Sequence, residues 1–185
     1  MNEIWKTSGF EAFRAGSFGN GGQNLYVSRR GVLQRIYQYD LDHDGHFDLV
    51  FCTSQNHCES APAYIFSAPF DSAEPQELPV RGAMTGIAAD LTGDGYDDLI
   101  IAAKYDGRDV DLNAVVYYGS EEGYSERRMN YLPAPWATSL AAGDFTGTGR
   151  PSLAFVCRGQ VRIFYSGELG IEARRWVEPG IAALQ

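Results

Sequence analysis

Asp40-Leu41-Asp42-His43-Asp44-Gly45-His46-Phe47-Asp48-Leu49-Val50-Phe51 crowds four carboxylates into one short loop and then runs directly into an apolar strand. The arrangement returns fifty residues on as Asp90-Leu91-Thr92-Gly93-Asp94-Gly95-Tyr96-Asp97-Asp98-Leu99-Ile100-Ile101. It returns again fifty-four residues later as Asp144-Phe145-Thr146-Gly147-Thr148-Gly149-Arg150-Pro151-Ser152-Leu153-Ala154-Phe155. A period of this length, with each loop feeding a strand, predicts a repeat architecture.

Like charges at positions 1, 3, 5 and 9 of such a loop either raise one another's pKa or call for a cation. Calcium takes six to eight oxygen ligands, accepts a backbone carbonyl at position 7 and needs glycine at position 6 for the turn. Asp40, Asp42, Asp44 and Asp48 occupy the side-chain positions, with Gly45 at the turn and His46 offering its carbonyl. The second loop offers Asp90, the Thr92 hydroxyl, Asp94, the Tyr96 carbonyl and Asp98, one charge fewer. In the third loop Asp144 alone keeps a ligand charge, and Arg150 adds a positive one, so two calcium sites are expected and the third loop is expected to be empty. Helix-loop-helix calcium sites carry a glutamate at position 12; here that position is Phe51 or Ile101, inside a strand. The alternative is an Asp-rich turn whose carboxylates cap backbone amides with no ion.

At 185 residues the chain suits one domain or a piece of one, and 44% apolar and 13% aromatic residues are ample for a core. The 21 glycines and eight prolines are spread over many short connections, as in an all-β chain. The net charge is −9, but eight of the 24 acidic residues lie in the first two loops. Two calcium ions would bring the net charge to about −5. No basic cluster invites nucleic acid, and no stretch is long and apolar enough for a membrane span. Cys52 and Cys58 are near enough in sequence to bridge a loop, while the third cysteine, Cys157, argues equally for three reduced thiols.

Each repeat reads as four β segments: 33–39, 47–53, 62–67 and 77–80; then 84–89, 97–103, 113–119 and 127–132; then 138–143, 152–157, 160–165 and 172–177. Residues 10–32 form a worn partial repeat, in which Ala15-Gly16-Ser17-Phe18-Gly19-Asn20-Gly21-Gly22 echoes Ala142 to Gly149 without the acids. The repeats are then 33–83, 84–137 and 138–178 within one unit. Four antiparallel strands per repeat is the pattern of a propeller blade.

The Asp-x-Asp-x-Asp-Gly-x-x-Asp-Leu pattern entering a strand resembles the FG-GAP or VCBS repeats of integrin α-subunit propellers and of many secreted bacterial proteins, over about residues 10–178. The resemblance implies an all-β propeller with calcium between the first and second strands of a blade. It implies no single activity, since the scaffold serves adhesion, carbohydrate binding and enzymes. Three and a half blades fall short of a ring of four to eight, so the chain is expected to be a fragment, or to complete its ring with a second copy as a homodimer. Weak, open calcium sites suit an extracellular or periplasmic setting, where free calcium is high. On the rim away from the calcium loops, Asn56, His57, Tyr105, Arg108 and Trp136 are candidates for binding a glycan or a protein ligand. No nucleophile or metalloprotease motif is present. A non-catalytic binding module is therefore expected, the alternative being the propeller portion of a secreted polysaccharide lyase or hydrolase.

Overall fold

The computed structural model describes residues 3–4, 13–14, 25–27, 33–52, 59–69, 74–165 and 181–184. The protein is all-β, with one 3-10 turn (Glu126–Arg128) and no α-helix among the described residues. Strands β1 (Glu3–Ile4) and β2 (Phe13–Arg14) pair as a short antiparallel ribbon. The first large sheet is β3 (Leu25–Val27), β4 (Leu33–Tyr39), β5 (Asp48–Cys52), β6 (Ala63–Phe66) and β7 (Gln76–Leu78), side by side in chain order. The second is the meander β8 (Ala83–Ala89), β9 (Asp98–Ala103), β10 (Ala114–Tyr117) and β11 (Met129–Leu132). The third is β12 (Ala137–Gly143), β13 (Ser152–Cys157), β14 (Gln160–Phe164) and β15 (Ile181–Leu184).

Two boundaries differ from the sequence reading. β3 falls within the partial repeat but pairs with β4, Leu25 opposite Arg35, so the first sheet has five strands. The strand described at the far edge of the third sheet is Ile181–Leu184, and the expected segment 172–177 lies outside the described residues. Ile181-Ala-Ala-Leu is uncharged throughout and pairs with β14, Phe164 opposite Ile181.

The three sheets stack face to face in chain order. Successive strand residues point to opposite faces, so the strands of the middle sheet contribute to two layers. Val50, Cys52, Ala63 and Ile65 of the first sheet meet Leu99, Ile101, Val115 and Tyr117 of the second. The alternate residues of the second sheet, Ile100, Ala102, Ala114 and Val116, meet Leu153, Phe155, Cys157 and Phe164 of the third. This explains why β9 and β10 are buried without interruption where a one-sided sheet would alternate. The same irregularity recurs at the start of the leading strands, between Ala83 and Thr85 in β8 and between Ala137 and Ser139 in β12. Cys52 is a buried free thiol inside the first layer, its pKa pushed up to about 12 by burial, and Cys58 lies outside the described residues.

Candidate metal centre

The three Asp-bearing loops join β4 to β5, β8 to β9 and β12 to β13, and they follow one course. Gly45, Gly95 and Gly149 sit at φ +87°, +89° and +78° at position 6, where a side chain would be strained. At position 4 the second and third loops have Gly93 and Gly147, at +74° and +72°. The first loop instead holds His43 at +60°, and its Nε2 lies 3.7 Å from Asp97 Oδ2 of the second loop.

The carboxylates behave differently in each loop. In the first, Asp40 Oδ2 accepts the Gly45 N–H (3.1 Å), Asp42 Oδ1 accepts Asp44 N–H (3.2 Å) and Asp44 Oδ1 accepts His46 N–H (2.7 Å). Asp40 Oδ1 is buried and has no hydrogen-bond partner. Asp40, Asp42 and Asp44 each bring an oxygen within 4.8 Å of the other two, the only such group of three His, Cys, Asp or Glu among the described residues. Three like charges turned toward one another, one with an orphaned buried oxygen, fit a metal ion.

In the second loop Asp90 is engaged by the chain itself. Its Oδ1 accepts the N–H groups of Gly93 (2.7 Å) and Asp94 (3.3 Å) and the Thr92 hydroxyl (3.4 Å), and its Oδ2 accepts the Gly95 N–H (2.9 Å). Asp94 Oδ1 accepts the N–H of Tyr96, whose ring is exposed. In the third loop Asp144 accepts from Thr146 and Thr148 N–H (both 3.1 Å), Gly149 N–H (2.6 Å) and the Thr146 hydroxyl (3.1 Å), which hold its carboxyl below the usual range.

Position 9 has a further use that its place in the motif does not reveal. Asp48 is buried, its Oδ2 accepting the Leu41 N–H and its Oδ1 the Ala68 N–H, both at 3.0 Å. Asp98, also fully buried, accepts Leu91 N–H (3.0 Å) and Gly119 N–H (2.9 Å). Each carboxylate thus ties the head of its loop to the chain leaving the next strand of its sheet, β6 for Asp48 and β10 for Asp98. Neither joins the group of three. A side chain at Gly119 would run into the Asp97 carbonyl, so glycine permits that close approach. Burial pushes the Asp98 carboxyl up to about 7 and raises Asp48 as well, against the pull of the two amides on each. The signal in the sequence was an acid placed directly against a wholly apolar strand start, Asp-Leu-Val-Phe and Asp-Leu-Ile-Ile. Ser152 takes this position in the third loop, and its buried Oγ has no partner.

A cleft of about 310 Å³ lies beside the first loop, lined by Asp42, Asp48, Tyr96, Gly119, Glu121 and Tyr124 among others. Tyr124 closes it, donating its hydroxyl to the Asp97 carbonyl (2.9 Å) while its own carbonyl accepts Gln76 Nε2 (2.6 Å).

On the opposite rim, Asn56 and His57 lie outside the described residues. Tyr105 turns its hydroxyl onto the Gly107 carbonyl of its own loop (2.7 Å), and Arg108, exposed, gives its N–H to Asp106. Trp136, at φ +58°, instead meets Lys104 Nζ, 4.8 Å from its ring centre, and the Arg158 guanidinium at 5.7 Å. Arg158 also pairs with Asp111. The sequence reading missed Lys104 and Arg158, and the one local mark was the Arg158-Gly159 turn between two strands.

Comparison with family models, with curated proteins and with solved structures gives no match, so the reading of this site rests on the chain's own geometry.

Proposed function

We propose that the chain is a calcium-binding module of propeller type, related in design to FG-GAP repeats, that acts outside the cell or in the periplasm as a non-catalytic binder of a protein or glycan. The observation that carries it is the convergence of Asp40, Asp42 and Asp44 around the orphaned Asp40 Oδ1. Asp40, Asp42 and Asp44 would hold the ion together with the His46 carbonyl, and the ion would offset two of the three facing charges. An all-oxygen site on an irregular loop suits calcium, which tolerates irregular coordination, better than magnesium, which demands a near-ideal octahedron. The second loop is the weaker candidate, because Asp90 already accepts three backbone amides.

The meander sheets stacked in file support the propeller reading, since propeller blades are four-stranded meanders packed on their neighbours. The test is calorimetric titration with calcium and then magnesium, on the wild-type chain and on Asp42→Ala. Calcium binding lost in the variant is the expected result. An unchanged isotherm in Asp42→Ala, or no heat in either protein, sinks the proposal. A panel of polysaccharides then separates binding from catalysis, since released product would favour the enzymatic alternative.

A further inference from the structure

Trp136 and Arg158 hold a backbone conformation that side chains avoid, and they hold it against each other. Among the described residues only His43, Trp136 and Arg158 take positive φ without being glycine, and the last two, at +58° and +50°, are in ring-to-guanidinium contact. A bulky residue in that region is strained, and strain of this kind gathers at ligand sites. The strand register shows what each residue replaces. Ala83 pairs with Ala103 as Ala137 pairs with Cys157, so Trp136 stands where the second sheet has Gly82, and Arg158 stands where it has Lys104. At Gly82 a Cβ would meet the Tyr105 carbonyl oxygen at 2.5 Å, because the 104–113 connection lies against it. In the third sheet that connection is cut to Arg158 and Gly159, and the indole takes the room. A two-residue hairpin with positive φ at both places favours Asn-Gly; here a long cation fills the first place.

Three cations meet at this end of the strands, away from the Asp-bearing loops. Lys104 and Arg158 both lie over the Trp136 ring, and Arg162 donates to the Pro133 carbonyl of the same connection (2.9 Å). The Lys104 N–H donates to the Gly82 carbonyl (3.0 Å), which fixes its backbone beside the ring. Among the described residues Asp111 is the one acid paired with any of the three, and both partners of that Arg158–Asp111 pair are more than half exposed. An exposed pair of this kind contributes little, so an incoming anion displaces Asp111 at small cost. In a chain of net charge −9, like charges gathered under one weak counter-charge favour a bound anion.

We propose that Lys104, Arg158 and Trp136 bind the acidic sugars of a polysaccharide, through a carboxylate or sulfate group. The proposal rests on the reading of the chain as a glycan binder and names the class of glycan. A guanidinium fork takes either anion through two parallel N–H groups. The half-buried indole sets an apolar face with a negative quadrupole beside the cations, which suits the C–H face of a pyranose ring. A bare anion would make no use of that face.

The test is calorimetric titration of the full chain, at constant calcium, with an oligogalacturonate, a sulfated galactose oligomer, a neutral galactose oligomer and a glutamate peptide. The wild-type chain should bind an acidic oligomer, more weakly as salt is raised, and should ignore the neutral one. Preference for the galacturonate identifies a carboxylate ligand, and preference for the sulfated oligomer identifies a sulfate. Arg158→Asn gives the turn its favoured Asn-Gly pair, so it should melt at or above the wild-type temperature while affinity falls about tenfold or more. Lys104→Gln should weaken binding in the same direction. Failure to bind either acidic oligomer, equal binding of the neutral one, or binding of the glutamate peptide alone overturns the proposal. Affinity unchanged in Arg158→Asn overturns it as well, and a lowered melting temperature with affinity intact assigns Arg158 to the fold instead. Calcium heat from the first loop, read on the same samples, separates the two readings: its presence without acidic-sugar binding leaves the metal site standing and sinks this one.

Discussion

The loops at 40–48 and 144–152 share a backbone course and differ in chemistry. Both place an Asp at position 1 whose Oδ2 accepts the N–H of the position-6 glycine, and both turn there with positive φ. In the third loop Thr146 and Thr148 supply uncharged partners, their hydroxyls 2.8 Å apart, and Asp144 is satisfied on every side. In the first loop the same places hold Asp42 and Asp44, and Asp40 Oδ1 is left buried and alone. The turn therefore needs one Asp and one Gly, while the demand for a cation comes from the acids added around them. The second loop lies between, with Asp90 satisfied by amides and Asp98 locking the loop to its sheet.

The largest effect should come from position 9. Asp98→Ala leaves the buried amides of Leu91 and Gly119 without their acceptor and should lower stability in urea by about 2–5 kcal/mol. Ser152→Ala removes a hydroxyl with no partner and should change stability by less than about 1 kcal/mol. Similar losses for both would mean that Asp98 does not hold its loop as described.

Calcium sharpens the contrast next. At 100 times the dissociation constant, calcium should stabilise the wild-type chain by about 2.7 kcal/mol per occupied site. Asp44→Ala should abolish the first loop's share of the calcium-dependent rise in melting temperature, and Thr148→Ala should leave the rise intact. Equal behaviour of the two variants would erase the distinction between the loops.

The pH dependence in EDTA follows from Asp98. Its folded carboxyl titrates at about 7 against an ordinary 3.8, so between those values the folded chain keeps a proton that the unfolded chain has released. Stability should therefore fall as pH rises from about 4 to about 7. Asp98→Asn should flatten that slope, and an identical slope in the variant would assign it to other groups.

The smallest expected effect tests the shared turn. Gly45→Ala and Gly149→Ala should each cost about 1 kcal/mol, because both force a side chain into left-handed backbone. Both should do so without calcium, since the turn precedes the metal demand.

Much of this was legible in the linear chain. The strands entering and leaving each loop were placed within a residue or two, because an Asp-Gly turn followed by an apolar run is a local pattern. The candidate metal ligands Asp40, Asp42 and Asp44 were legible for the same reason, lying within five residues of one another. The neighbours of Trp136 were not, since Lys104 and Arg158 come from different sheets and only the stacking brings them to it. The edge strand Ile181–Leu184 was not read from the sequence, because a strand of four residues is chosen by its fit to β14, and nothing nearby in the sequence announces that fit.

By itself, then, the sequence determined the period, the turns and the acid content of each loop. These depend on steric and hydrogen-bonding preferences spanning nine residues, and they hold wherever the loop is put. Tertiary structure alone decided that Asp48 and Asp98 capture amides 20 and 21 residues away. It alone decided that β9 is buried at every residue while Ala154 and Val156 of its counterpart β13 are half-buried. Burial and long-range partners belong to the stacking of whole sheets, and no window of sequence contains the sheet that lies on top.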